Sequence, residues 1–521
     1  MRISRRRVLQ SLAAAGVLGI PSRAPARELP IAPGPFKPSR ESLAAWQVPD
    51  WFRNAKFGIW AHWGPQSSVE AGDWYARNMY MEGSAQYKHH LETYGHPSKV
   101  GFKDVIPKWK AERFDPSALM TLYKKAGARY FMSMAVHHDN FDLWNSAHTR
   151  WNAVAMGPHR DVVGEFAAAA RREGLRFAVS DHLWISYKWF STSHGHDNVG
   201  PMANVPYDGV QSENADLYHD ITDVHTKLDW NETGITEAWK QMWFRRIKDL
   251  VDKYDPDLLY CDGPIPFGDL GLAMLAHLYN QRAAKRGGAT DAIYTSKRRE
   301  DSEQGTCVFD VERGVVDAIW PRPWQTDTCI GEWHYKRGIT YKSAKTVVDL
   351  LADIVSRNGN LMLNFPLPNS GMPDADELKV LSGITDWMAV NSEAIHDTRP
   401  WKIFGDGPVA TAPKTPASSS FNEKGRKDLG PDDVRFTTKG DALYAIVMGL
   451  PGREAMIPAL AMGGPNRVGT VRNVELLGAP GKLEWHQDAS GLRVTMPAKP
   501  PSDFAVAFKV IGLEERNARV S

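Results

Sequence analysis

The chain has 521 residues, 42% hydrophobic and 24% charged, well past the roughly 250–300 residues at which a single core usually stops growing, so two domains are expected. Its net charge is +2, but the first 26 residues hold five arginines (Arg2, Arg5, Arg6, Arg7, Arg23) and no acid, so the remainder stands at −3. Such a balance supplies neither the basic footprint of a nucleic-acid binder nor a polybasic membrane patch, and three cysteines, Cys261, Cys307 and Cys329, cannot staple a chain of this size.

Ser4-Arg5-Arg6-Arg7-Val8-Leu9-Gln10 precedes an apolar stretch over residues 11–20 and then Ala24-Pro25-Ala26, a small-x-small cleavage triplet. This combination resembles a bacterial twin-arginine signal peptide, and the apolar stretch is too short to span a bilayer. Residues 1–26 are therefore set aside from the fold, and the mature protein is expected in the periplasm or outside the cell.

Beyond a proline-rich lead, short apolar runs alternate with segments of helical period. Strands are expected at 56–63, 129–136, 176–181, 257–262, 292–296, 307–312, 325–330 and 360–365, with helices at 117–126, 162–173, 237–253, 270–286 and 343–357 between them. Eight strands alternating with helices predict an α/β chain built on a TIM-like (β/α)8 barrel over residues 27–400. From about Trp401 the texture changes to short alternating stretches (442–448, 468–477, 482–486, 492–495) separated by Gly, Pro and Asp turns. An all-β sandwich over 401–521 is expected, entered through a Pro/Ser-rich joint near 413–420.

In such a barrel the chemistry sits at the carboxyl ends of the strands. Those ends carry His62-Trp63, His137-His138-Asp139-Asn140-Phe141, Asp181-His182, Tyr260-Cys261-Asp262-Gly263 and Asp310-Val311-Glu312-Arg313. Aromatic residues fall beside them: Trp63, Trp74, Tyr75, Phe141, Trp144, Trp184, Trp189, Tyr260, Trp324 and Trp333. A sugar stacks its C–H face on an aromatic plane and needs paired donors and acceptors for its hydroxyls, so this set fits a carbohydrate. Neither GxxxxGK[ST] nor a strand-linked GxGxxG competes with that reading.

Cleaving a glycosidic bond at neutral pH takes one carboxylate that stays charged and one carboxylic acid that holds its proton. Asp262, ending an apolar strand before Gly263, and Glu312, following Val308, Phe309 and Val311 where desolvation raises an acid's pKa, are the candidate pair. If they act by double displacement, Asp262 attacks the anomeric carbon while Glu312 protonates the leaving oxygen and then deprotonates water.

Several spaced motifs resemble the α-L-fucosidases of glycoside hydrolase family 29: 56–64 (KFGIWAHWG), 74–79 (WYARNM), 137–141 (HHDNF), 257–263 (DLLYCDG), 358–364 (NGNLMLN), and, near the barrel's end, Asp386-Trp387 and 391–395 (NSEAI). The resemblance covers roughly residues 45–400 and implies a retaining exo-hydrolase that removes terminal α-L-fucose from glycans or glycosides, with a barrel followed by a sandwich and with neither metal nor cofactor. It implies that Asp262 is the nucleophile, Glu312 the acid/base, His62, His137 and His138 the holders of fucose hydroxyls, and Trp74 an aromatic at the sugar pocket. The sequence departs from the family pattern at Asp73 (commonly Glu), Asn140 (Gly), Tyr260 (Trp), Lys297 (near an expected Arg) and His182, at the end of strand three; Asp73, His182, Tyr260 and Lys297 are read as further sugar contacts.

Two other readings compete. A metal-dependent hydrolase could gather His62, His137, His138, His182 and Asp262 around Zn²⁺, but adjacent His137 and His138 would point to opposite faces of a regular strand. A non-catalytic sugar-binding protein would have no need of two carboxylates with divergent pKa values.

Overall fold

Eight parallel strands close into a barrel in the computed structural model, which describes residues 29–411, 420–426 and 428–512. The N-terminal address at 1–26 and most of the joint near 413–420 lie outside the described residues. The strands are β1 (Phe57–Ala61), β2 (Tyr130–Val136), β3 (Arg176–Asp181), β4 (Leu258–Cys261), β5 (Ile293–Ser296), β6 (Val308–Glu312), β7 (Trp324–Cys329) and β8 (Gly359–Asn364), and β8 pairs back onto β1 to seal the ring. Nearly every strand residue is buried, because the barrel interior takes one face and the outer helices the other. That two-sided burial is why the strands read as apolar runs without alternation.

The helices begin where side chains can cap them. Asp115, Asp161, Thr236, Ser343 and Asp374 each accept a backbone N–H in the first turn of Pro116–Lys125, Val162–Arg172, Glu237–Tyr254, Ala344–Ser356 and Ala375–Asn391, satisfying donors that a helix start leaves unpaired. The alternation is not complete: β5 and β6 are joined through a five-residue helix, Arg299–Glu303, and no helix lies between β6 and β7. There the backbone is engaged by a segment from beyond the barrel, since Phe421 N–H donates to Glu312 O, Glu423 N–H to Arg313 O, and Asn422 bonds both the N–H and the C=O of Val315. Polar main-chain groups are satisfied without a crossover helix.

After the barrel come two antiparallel sheets. One contains β9 (Arg399–Asp406), β10 (Val434–Lys439), β11 (Ala442–Val447), β13 (Asn473–Leu476) and β16 (Val506–Ile511); the other contains β12 (Glu454–Ile457), β14 (Trp485–Asp488) and β15 (Gly491–Thr495). Val434, Phe436, Leu443, Ala445 and Phe508 of the first meet Ala455, Ile457, Leu492 and Val494 of the second in one core, which makes the unit a sandwich. The alternate residues Ala442, Tyr444, Ile446 and Ala507 face the barrel instead and join its core. Of the expected strands, 442–448 and 492–495 coincide with β11 and β15, whereas 468–477 is strand only at β13 and 482–486 only near β14.

Barrel and sandwich are also tied by charge. The buried Asp353 carboxylate, on the helix Ala344–Ser356, receives Arg357, Arg426 and the fully buried Arg435 of β10. Burial would raise its pKa, but the three guanidiniums win and hold it far below the usual carboxylate range. Asp353→Ala leaves Arg435 buried without its acid, and a loss of roughly 3–5 kcal/mol is expected, read as a lowered Tm. All three cysteines are free and buried, and no helix among the described residues is long and apolar enough to cross a membrane.

Candidate active site

A cavity of about 300 Å³ opens at the carboxyl ends of the barrel strands, lined by Trp60, His62, Asp73, Trp74, His137, His138, His182, Trp230, Tyr260, Asp262, Glu312, Asp327, Trp333 and Phe421. Its volume is at the small end for ligand sites, suited to one sugar ring. Nine of the ten expected site residues line it. The tenth, Lys297, does not.

Lys297 follows β5, and its Nζ is turned to carboxylates: it lies 3.6 Å from Asp262 Oδ1, 3.1 Å from Asp310 Oδ2, 3.4 Å from Glu312 Oε2 and 3.2 Å from Asp327 Oδ1. It is the hub of an acidic cluster whose members Asp262, Glu312 and Asp327 line the cavity. Burial would lower the pKa of this amine, but the surrounding acids, Asp327 foremost, raise it well above the usual lysine value. Because one Nζ touches both Asp262 and Glu312, their near oxygens are roughly 7 Å apart at most, which brings the two carboxyls to one side of the cavity.

The same surroundings drive the two acids apart. Burial pushes Glu312 up to about 7, and the charges of Asp262 and Asp327 add to it against the pull of Lys297. Asp262, 16% exposed, is largely desolvated too, yet His182, a hydrogen bond from His138 and Lys297 outweigh desolvation and keep its carboxyl well below the ordinary range. His138 Nε2 and His182 Nδ1 each lie 3.3 Å from Asp262 Oδ2. Tyr260, whose hydroxyl stays protonated, sits 3.2 Å from Asp262 Oδ1 and 2.9 Å from Asp327 Oδ2, bridging them. Behind the Asp262 carboxylate, Trp184 Nε1–H donates to Asp262 O at 2.7 Å. The indole packs so close to Gly263 that a Cβ there would fall 2.6 Å from its nitrogen, which accounts for glycine after the aspartate.

The histidines form the opposite wall. Burial, then neighbouring histidines, hold His62 and His137 well below the normal imidazole pKa, and burial brings His182 to about 4; all three are neutral at pH 7. Both nitrogens of His62, Nε2 of His182, Nε2 of His334 and Nε1 of Trp60 have no hydrogen-bond partner among the described residues. Buried polar atoms left unpaired cost about 1–3 kcal/mol each, so a wall of them is built for a ligand rich in hydroxyls. Asp73 accepts from His334 Nδ1 at 2.6 Å, and Trp74 sits with φ at 58°, a left-handed conformation that is strained for an aromatic residue and recurs at functional sites.

His137 and His138 line the cavity together with ring centroids 4.6 Å apart, against the expectation that they diverge. The strand ends at Val136, and the chain then turns through Asn140 at φ 61°, so strand alternation no longer applies. That backbone angle also explains the exchange at position 140, since asparagine enters the left-handed region more readily than residues other than glycine.

Two groups bring possible metal ligands within 4.8 Å of one another: His62, Asp73, His137 and His334, and His137, His138 and His182. His137, which belongs to both groups, is committed otherwise by its hydrogen bond. Gln66 accepts Ala76 N–H through Oε1 and donates through Nε2 to His137 Nδ1, which puts the neutral ring's proton on Nε2, facing the cavity. His138 is oriented by donating from Nδ1 to His182 O at 2.7 Å. The inward N–H of His137, the residue common to both groups, favours a hydroxyl over a cation.

Of the aromatic residues read as flanking the strand ends, Trp74, Tyr260 and Trp333 line the cavity. Trp63 is one place out of register with inward-facing Trp60 and His62; it packs on Trp109 and Phe114. Trp144, Trp189 and Trp324 are likewise core. Gln66, Trp230, His334, Asp327 and Phe421 were not expected from the sequence.

Comparison with known proteins agrees with this construction. The alpha-L-fucosidase family model matches residues 24–393, and the alpha-L-fucosidase C-terminal domain model matches 426–511. Tissue alpha-L-fucosidase of Rattus norvegicus is 26% identical over 492 residues, covering 91% of this chain and 92% of that protein. Alpha-L-fucosidase of Branchiostoma floridae is 27% identical over 483 residues, covering 89% and 92%. The crystal structure of Thermotoga maritima alpha-fucosidase in complex with fucose shares the fold, with a TM-score of 0.69 at 24% identity over 91% of this chain and all of that one. A cavity at the strand ends, a carboxyl pair of opposed acidity and two family models spanning barrel and sandwich lead to one conclusion: the chain belongs to the alpha-L-fucosidase family.

Proposed function

We propose that the protein removes terminal α-L-fucose from glycans or glycosides with retention of configuration, with Asp262 as nucleophile and Glu312 as acid/base. The observation that carries the assignment is the carboxyl pair beside Lys297, one member held ionised and the other poised near neutral. Asp262 attacks the anomeric carbon as Glu312 gives its proton to the departing oxygen. Glu312 then takes a proton from water, which displaces the Asp262 ester.

In this reading His62, His137, His138, His182 and Asp73 hold the sugar hydroxyls, and Trp74 and Tyr260 bound the ring. Lys297 positions the acids from behind. The division into a catalytic unit up to about residue 400 and a supporting unit after it, and export directed by residues 1–26, belong to the same proposal; the arginine pair, apolar stretch and cleavage triplet support the latter.

The pH profile tests the roles. Glu312 must be protonated to act first as an acid, so kcat/KM should hold below about pH 7 and fall as pH rises through it. Glu312→Gln should abolish that alkaline limb and slow fucosides with poor leaving groups roughly 10²–10⁴-fold, sparing activated aryl fucosides more. An unchanged alkaline limb in this variant would remove Glu312 from the acid role.

A further inference from the structure

Phe421 stands out on the cavity rim. It is an aromatic residue 64% exposed, in a left-handed backbone conformation with φ at 57°, and it comes from chain beyond the barrel. A non-glycine residue there is uncommon. The segment is nevertheless firmly attached. Phe421 N–H donates to Glu312 O at 2.7 Å, Glu423 N–H to Arg313 O at 3.0 Å, and Asn422 makes reciprocal bonds with the backbone of Val315. Glu423 is further fixed between Thr328 Oγ1 at 2.6 Å and Lys342 Nζ at 2.8 Å. Anchors at Phe421 and at the two residues after it thus hold an exposed ring, through its own amide, against the residue proposed as general acid.

A general acid delivers its proton to the bond's leaving oxygen, so the leaving group lies on the Glu312 side of the fucose ring. The deep wall of histidines and acids is polar, whereas Phe421 presents a flat apolar face at the rim. We propose that Phe421 is the platform of a leaving-group subsite, recognising the flat apolar face of whatever is joined to fucose: an aromatic ring, or the C–H face of a pyranose. Trp230, 49% exposed, lines the same cavity from the loop between β3 and β4, near His138, and bounds it on the nucleophile's side. The proposal rests on the fucosidase reading above.

By microscopic reversibility, a subsite for the leaving group also binds acceptors that intercept the fucosyl-enzyme. In that step the anomeric carbon leaves the Asp262 carboxylate and bonds the acceptor oxygen, whose proton passes to Glu312. Transfer and hydrolysis use the same base, so damage to Glu312 cancels in their ratio. The test uses the full-length enzyme with α-L-fucosyl fluoride, a donor whose leaving group has no face, and three acceptors: benzyl alcohol, a methyl pyranoside and methanol. Phe421→Ala should lower the transfer-to-hydrolysis ratio about three- to tenfold for the flat acceptors and leave the methanol ratio unchanged, while Phe421→Trp retains wild-type ratios. Loss confined to benzyl alcohol or to the pyranoside identifies the kind of face bound. Equal loss with methanol, no loss with either flat acceptor, or no wild-type transfer to either would overturn the platform. Failure of the wild-type enzyme to release fucose at all would instead overturn the function.

Discussion

Asp262→Ala is expected to slow the turnover of an aryl α-L-fucoside by at least about a thousandfold, roughly 4 kcal/mol of transition-state stabilisation. The side chain is lost from the point where His138, His182, Tyr260 and Lys297 converge, so no neighbouring carboxylate takes its place at the same distance from the donors. The space it leaves admits a small anion. Azide should restore turnover by attacking from the nucleophile's face and, with no second displacement, yield β-L-fucosyl azide. Product anomer by NMR is the decisive measurement. Retention of more than about a tenth of the wild-type rate, or an α-configured azide product, would remove Asp262 from the mechanism.

The distribution of these residues along the chain explains what the sequence reveals and what it hides. Asp262, Glu312, His62 and His182 are legible because each sits at or just after the end of an apolar strand, and the barrel makes strand ends converge. The eight strands are legible for the same physical reason: burial on both faces turns them into apolar runs. The sandwich is harder to read. β16 is buried on both faces over its first half, Val506, Phe508 and Val510 toward the sandwich core and Ala507 toward the barrel, so the alternation that marks a half-exposed strand is blurred. Residues delivered by loops carry no periodic signal. His334 reaches the cavity from the β7–β8 connection, Trp230 from that between β3 and β4, and Phe421 from beyond the last barrel helix. Lys297 entered only through the resemblance, as standing near an expected Arg, and a sequence match does not say which way an amine turns; its Nζ turns to four carboxylates.

That orientation makes Lys297→Met the most revealing substitution away from the reacting carboxylates. Four acids would lose a cation lying 3.1–3.6 Å away, and buried carboxyls without a counter-charge take up protons rather than remain ionised. Lys297 pulls both Glu312 and Asp262 down, so its removal should move the alkaline and the acid limbs of the kcat/KM profile together to higher pH. Activity at neutral pH should fall about a hundredfold or more, as Asp262 becomes a poorer nucleophile. The stability consequence has a definite sign. Carboxyls whose folded-state pKa rises above the unfolded value, about 4, bind more protons folded than unfolded, and the stability they contribute declines as pH rises through the folded-state pKa. The variant should therefore approach wild-type Tm in mild acid and fall increasingly below it toward neutrality, where an unpaired buried charge costs several kcal/mol. Lys297→Arg, which keeps the charge, should retain the wild-type limbs. A profile and a Tm deficit that do not move with pH in Lys297→Met would show that the amine only fills space, and that burial alone sets the acidity of Glu312.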